Sequence, residues 1–273
     1  MNEPLPVASE AADLSPRVWD RIACSPWREL MLDFDGTLAP FRAERIEARV
    51  PADTLGALRS IATSGCDRVT IVSGRSVAEL RPLLPDLEAR LVGEHGWEDW
   101  RPGSEPRQHA LDDATALQLA RAARAAHARG WGPFLERKRC SLVLHTRGLD
   151  AAHASQLERL VSEFWWSQFL GDGLSLENIH GGLELRATAR HKGVAVAETL
   201  RESPAGALVV YVGDDRTDED AFEVVAPRGL AIRVGAPGVP SHAPYRLDSP
   251  GAVGRFLRRW AMGPPAAADG NPL

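Results

Sequence analysis

The chain has 273 residues, 44% hydrophobic and 25% charged, with a formal net charge of −5 at pH 7. These are ordinary globular values, enough for one large domain or two small ones. The mildly acidic balance offers no basic patch for nucleic acid, and no apolar run approaches the ~18 residues of a membrane helix.

The N-terminal stretch MNEPLPVASEAADLSPR lacks the basic start and apolar core of a signal peptide. Cys24, Cys66 and Cys140 form no CxxC pair, so neither a zinc site nor a disulfide framework is indicated, and reduced thiols in a cytoplasm are expected. Only two of the 32 basic Lys and Arg residues are lysines, Lys138 and Lys192. Abundant Arg, Ala, Gly and Pro suggest a GC-rich genome that drifts Lys to Arg wherever either serves, so the two survivors mark places where a compact point charge is needed.

In chain order, LMLDF (30–34) reads as a buried strand, apolar except for Asp33. ADTLGALRSIATSG (52–65) has helical spacing and ends on Gly65. RVTIVSG (68–74) is a second strand, and SVAELRPLL opens with Ser76 and Glu79 at capping-box spacing. RLVGEHG (90–96) is a third strand, and RPGSEP (101–106) reads as a linker. Next come a helix over 111–130, strands over 134–139 and 141–147, a helix over 151–166, and strands over 174–180 and 183–187. Trp165 and Trp166 are expected in the core of this segment. From 191 the strand–helix alternation resumes with HKGVAVAETLRE, ALVVYVGDD, DEDAFEVV and LAIRVG. The predicted fold class is α/β, a doubly wound parallel sheet interrupted by an inserted αββαββ domain. The expected division is a core of 1–102 and 188–262, an insert of 103–187, and a disordered tail of 263–273.

Ligands of open α/β sheets bind beyond the carboxyl ends of the strands. The polar residues gather there: Asp33-Phe34-Asp35-Gly36-Thr37, Ser73-Gly74-Arg75 and Gly213-Asp214-Asp215, with Lys192 opening the helix before the last. On a strand Asp33 and Asp35 would point to the same side, and two buried like charges need a cation opposite them. Several carboxylates without a His or Cys cluster are hard oxygen ligands suited to Mg²⁺. Gly36, Gly74, Ser73 and Lys192 suit a phosphate. One carboxylate could act as nucleophile and its neighbour as general acid/base. Arg75 reads as structural.

DFDGT, SGR, a lone Lys and GDDRTDEDAF match, in order, the four motifs of the haloacid-dehalogenase-like phosphohydrolases, with the Rossmann-like core of that superfamily. GDDRTDEDAF, GEHG at 93–96, and the pairs Glu136/Lys138 and His145/Arg147 resemble the trehalose-6-phosphate phosphatases in particular. The inserted segment resembles that family's sugar-binding cap. The resemblance implies an enzyme, a Mg²⁺-dependent phosphoric monoester hydrolase. Its nucleophile would be Asp33 and its acid/base Asp35. Thr37, Ser73, Gly74 and Lys192 would hold the phosphate. Asp33, the Asp35 carbonyl and Asp214 would bind Mg²⁺, supported by Asp215 and Asp218. His95, Glu136, Lys138, Arg147, His180 and Glu184 would contact the sugar. The chain departs from the family pattern at Ile179-His180, where Gly-Lys is usual, and at Thr146, where an aromatic residue is usual. The expected partner is a disaccharide phosphate, with neither nucleic acid nor membrane, and the chain is read as a monomer. Rival readings are a phosphatase for sucrose 6-phosphate or mannosyl-phosphoglycerate, a phosphomutase, and a non-catalytic sugar-phosphate-binding regulator.

Overall fold

A computed structural model describes residues 14–41, 47–171, 173–179 and 181–263. The chain divides into two compact units, Met1–Gln108 with His191–Leu273, and His109–Arg190.

The first unit opens with α1 (Pro16–Cys24), β1 (Arg28–Leu32), α2 (Ala52–Ala62), β2 (Asp67–Val72), α3 (Val77–Leu80), β3 (Arg90–Gly93), β4 (Glu98–Trp100) and β5 (Arg107–Gln108). The second unit holds α4 (Asp113–Ala128), β6 (Leu135–Arg137), β7 (Ser141–His145), α5 (Ala151–Phe169), β8 (Leu174–Ile179) and β9 (Gly182–Ala187). The chain then returns to the first unit with α6 (Lys192–Glu202), β10 (Leu208–Gly213), α7 (Glu219–Val225), β11 (Leu230–Val234), β12 (Tyr245–Leu247) and α8 (Pro250–Ala261).

The larger sheet runs β12-β11-β10-β1-β2-β3-β4-β5. Its strands from β12 to β3 are parallel, and β4 and β5 are antiparallel additions. Alternate side chains face opposite layers, as the two-residue strand period requires. Leu30, Leu32, Val210, Val212 and Ile232 pack with α1, α2 and α8, whereas Met31, Val209, Tyr211 and Ala231 pack with α6 and α7. β1 spans 28–32 rather than the expected 30–34, and all five of its residues are buried, Arg28 and Glu29 included, as befits a central strand covered on both faces.

The smaller sheet is antiparallel, in the order β6-β7-β9-β8, with α4 and α5 packed on it. Leu142 and Leu185 are cross-strand partners in its core, two residues from the Leu144–Leu183 pair.

Several elements differ from the sequence reading. The helix after Ser76 does form its capping box but lasts four residues, because Pro82 follows and the chain tightens into a 3₁₀ turn. The expected linker at 101–106 is the turn joining β4 to β5, closed by the Ser104 N–H on the Arg101 carbonyl at 3.0 Å and by the Trp100 indole N–H on the Ser104 carbonyl at 2.9 Å. That pairing keeps 103–108 with the larger sheet, so the units part after Gln108 and after Arg190 rather than at 102 and 187. Trp165 is fully buried, but Trp166 is 69% exposed, since α5 buries Val161 and Trp165, one turn apart, and the next residue points elsewhere. The tail at 264–273 lies outside the described residues, and among the described residues no helix is long and apolar enough to cross a membrane.

At the end of the sheet away from the functional loops, Arg28 grips Asp67 with two bonds of 2.6 and 2.7 Å. Both side chains are nearly inaccessible, and the Trp260 indole N–H adds a bond to Asp67 at 3.1 Å. Arg28→Met would leave Asp67 buried without its counter-charge. The expected loss is about 3 kcal/mol, read as a lower urea midpoint, and an unchanged midpoint would refute it.

Candidate active site

The carboxyl ends of β10, β1, β2 and β3 lie side by side, and four loops converge there. β1 stops at Leu32, so Asp33 and Asp35 are not both on a strand. The Asp33 N–H continues the ladder to the Val212 carbonyl at 2.9 Å. The chain then turns: the Leu38 and Ala39 N–H groups return to the Phe34 carbonyl, and Gly36 N–H donates to the Ala39 carbonyl at 2.8 Å. Gly36 has φ +81°, and a Cβ there would collide with the Asp214 carboxylate. Only glycine permits this approach.

The two carboxylates do not lie together on one side as a continued strand would place them, because the turn separates them and each meets a different side-chain cation. Asp33 Oδ1 accepts from Lys192 Nζ at 2.7 Å. Asp35 Oδ2 and Oδ1 accept from Arg75 Nε and Nη2 at 2.7 and 2.6 Å. The same-side rule applies to extended backbone, and Asp35 has already left it.

Lys192, the first residue of α6, is 2% exposed. Its ammonium also donates to Asp218 Oδ1 at 2.7 Å. Burial opposes its charge, but Asp218 and Asp33 outweigh that and raise its pKa. Asp218, itself inaccessible, gathers four donors: Lys192 and the Tyr211 hydroxyl (2.6 Å) on Oδ1, and the N–H groups of Asp214 and Asp215 (3.1 and 2.9 Å) on Oδ2. With its lone-pair positions engaged, Asp218 orients its neighbours.

Asp33, Asp214 and Asp218 each place a carboxylate oxygen within 4.8 Å of the others. One ammonium faces three carboxylates. Burial and the charges of Asp218 and Asp214 therefore hold the Asp33 carboxyl well above its ordinary pKa, despite Lys192. Asp214 is pushed up to about 7 by burial and by Asp218 and Asp215. Such surplus negative charge on hard oxygens fits a divalent cation, with Asp33 and Asp214 as the carboxylates left to ligate it. Asp215 stands apart from this group: it is exposed and caps the turn at Arg216–Asp218.

Thr37 Oγ1 donates to Asp214 Oδ1 at 3.2 Å. Ser73 is buried, and its hydroxyl accepts the Arg75 N–H at 3.1 Å. A Cβ on Gly74 would lie 2.5 Å from His95 Nε2, so the glycine lets the imidazole rest on this turn. Glu94, His95 and Gly96 all have positive φ, at 47°, 56° and 109°. For the two non-glycine residues that costs about 1–3 kcal/mol each. The loop is held by His95 N–H on the Ser73 carbonyl and Glu94 N–H on the Arg75 carbonyl, both at 2.8 Å.

In the second unit, cross-strand partners share a sheet face. Glu136, Val143, Glu184 and Glu177 form one such row. Glu136 Oε2 lies 2.7 Å from His145 Nε2, and Ser141 Oγ donates to Glu184 Oε1 at 2.6 Å. Lys138 stands two residues beyond Glu136, with its N–H on the Ser141 carbonyl at 3.0 Å. Arg147 passes over Gly181. Thr146 is tied to Glu158 at 2.5 Å. His180 lies outside the described residues.

Arg75, expected to be structural, bonds the Asp35 carboxylate here, and one further polar residue, Tyr211, is not legible in the sequence. Tyr211 is hidden in an apolar strand, and no spacing rule singles it out.

The trehalose-phosphatase family model matches residues 31–251. The trehalose-6-phosphate phosphatase of Escherichia coli K12 is 30% identical over 208 residues, covering 74% of this chain and 76% of that one. The trehalose-phosphate phosphatase B of Arabidopsis thaliana is 28% identical over 250 residues, covering 84% of this chain and 65% of that one. The C-terminal domain of the Candida albicans trehalose-6-phosphate phosphatase superposes with a TM-score of 0.80 at 20% identity, covering 95% of this chain and 99% of that domain, which shows the shared fold. The family match spans the loops after β1, β2, β3 and β10 together with Lys192, and so this chain belongs to the trehalose-phosphatase family, phosphoric monoester hydrolases built on the haloacid-dehalogenase-like fold.

Proposed function

We propose that this protein is a Mg²⁺-dependent phosphatase that hydrolyses trehalose 6-phosphate to trehalose and phosphate through an aspartyl-phosphate. The observation that carries the reading is the Asp33 carboxylate, fixed by buried Lys192 beside Asp214, while the Asp35 carboxylate is held separately. A nucleophile and an acid/base need such different environments to take different roles.

In the first half-reaction Asp33 attacks phosphorus, the P–O bond to the sugar breaks, and the Asp35 carboxyl gives its proton to the departing oxygen. In the second, water attacks phosphorus, its proton passes to Asp35, and Asp33 leaves as a carboxylate. Lys192, Thr37, Ser73 and the Gly74 turn hold the phosphoryl oxygens. Asp33, Asp214 and the Asp35 carbonyl would hold Mg²⁺, with Asp215 and Asp218 supporting those ligands, and the ion would supply charge neutralisation at the phosphoryl group. His95, Glu136, Lys138, Arg147, His180 and Glu184 contact the disaccharide. The relatives' names and the family match over 31–251 support this substrate. A cytoplasmic monomer completes the reading.

The decisive measurement is phosphate release from a panel of sugar phosphates, with and without Mg²⁺. Trehalose 6-phosphate should exceed sucrose 6-phosphate and mannosyl-phosphoglycerate by at least about tenfold, and equal rates would end the assignment. Asp33→Asn should lower kcat by at least about 10³-fold, and near-normal turnover would exclude Asp33 as nucleophile.

The cation can be tested by its linkage to protons. The Asp214 pKa rises from 3.8 to about 7 on folding. Between these values the folded state binds more protons, so the chelator-treated protein loses stability as pH rises toward 7. An ion that displaces this proton should raise Tm more at pH 8 than at pH 6. Equal shifts in thermal melts at the two pH values would mean that these carboxylates do not hold it.

A further inference from the structure

Arg75 is nearly inaccessible, whereas the Asp35 carboxylate above it is 28% exposed. The guanidinium lies over the ring of buried Phe34, 5.1 Å from its centroid. The Arg75 main chain is held at both ends: its N–H donates to Ser73 Oγ at 3.1 Å, and its carbonyl accepts the Glu94 N–H at 2.8 Å. This one residue therefore ties together the loops after β1, β2 and β3. The two N–H bonds at 2.7 and 2.6 Å use one lone-pair position on each Asp35 oxygen and fix the plane of the carboxylate. One position on each oxygen is left over. Asp35 does not belong to the carboxylate group formed by Asp33, Asp214 and Asp218.

We propose that Arg75 is the positioning residue of the acid/base. Its fork holds the Asp35 carboxylate in one place and one orientation and presents the remaining lone pairs to the proton that Asp35 moves. The inference rests on Asp35 acting as acid/base in the hydrolysis above. When the P–O bond to the sugar breaks, the proton on an outer Asp35 lone pair goes to the sugar oxygen, and the resulting carboxylate stays paired with Arg75. When water attacks the phosphoryl group, its proton returns to the same lone pair. Arg75 touches neither substrate nor phosphorus in either step. A structural arginine could point anywhere in the core; this one makes its bidentate contact with the one carboxylate that must move protons. Lysine would not substitute fully, since a point charge cannot fix a carboxylate plane.

The test separates proton delivery from general damage by changing the leaving group. An alkoxide departing from a sugar phosphate needs the proton, whereas 4-nitrophenolate departs without one. kcat/KM on each substrate reports the steps up to the first bond cleavage. Arg75→Met and Asp35→Asn should both lose at least about tenfold more kcat/KM on trehalose 6-phosphate than on 4-nitrophenyl phosphate, within the ~10²–10⁴ range of acid–base catalysis. Arg75→Lys should recover part of that difference, and it also serves as the test variant if Arg75→Met does not fold. An equal loss on both substrates in the Arg75 variants, beside a selective loss in Asp35→Asn, would overturn the proposal and leave the acid/base reading standing. An unselective Asp35→Asn would remove that reading and the role of Arg75 with it.

Discussion

The ammonium of Lys192, buried between Asp33 and Asp218 with both bonds at 2.7 Å, is the contact on which the rest of the site depends. A buried charge persists only where partners offset its lost hydration. Lys192 has two such partners, and each ties in another part of the fold. Asp33 extends the β1 ladder, and Asp218 collects the Tyr211 hydroxyl and the amides of Asp214 and Asp215. A single positive charge thereby registers the start of α6, the end of β1 and the loop after β10. It also leaves negative charge in excess, and that excess makes a divalent cation a fitting companion for Asp33 and Asp214.

The same geometry explains why a chain so rich in arginine keeps a lysine here. Lys192 meets one oxygen on each of two carboxylates. A tetrahedral ammonium on a flexible stem suits two separate single contacts, whereas a planar guanidinium suits two parallel bonds to one carboxylate. Arg75 on Asp35 is that second case. The two acids of DFDGT thus receive different cations, each matched in shape to its task.

Much of the fold could be read from pattern. The apolar runs of β1, β2 and β10 announce a parallel sheet buried on both faces, and the two αββ units announce a separate antiparallel layer. What pattern missed was short or set by distant partners. β4, β5 and β12 have only two or three residues each, too few for a period to show. α8 carries Arg255, Arg258 and Arg259 among its apolar residues, yet it buries Phe256, Leu257 and Trp260 against the sheet. Trp166 shows the converse error: a large apolar side chain was expected inside, while a one-residue step around α5 turns it out to solvent.

By itself the sequence determined the α/β class, the alternation of the strands and helices that carry the site, the inserted αββαββ segment and the identity of the residues at the strand ends. These follow from local periodicity and from motif spacing, which are properties of neighbours in the chain. Only the tertiary structure decided which cation meets which acid. Asp33 and Lys192 are 159 residues apart, and Asp35 and Arg75 are 40 apart. No local rule pairs them; the strand order of the parallel sheet and the turn after Leu32 bring each pair within bonding distance, and the cost of leaving a buried charge unpaired keeps them there.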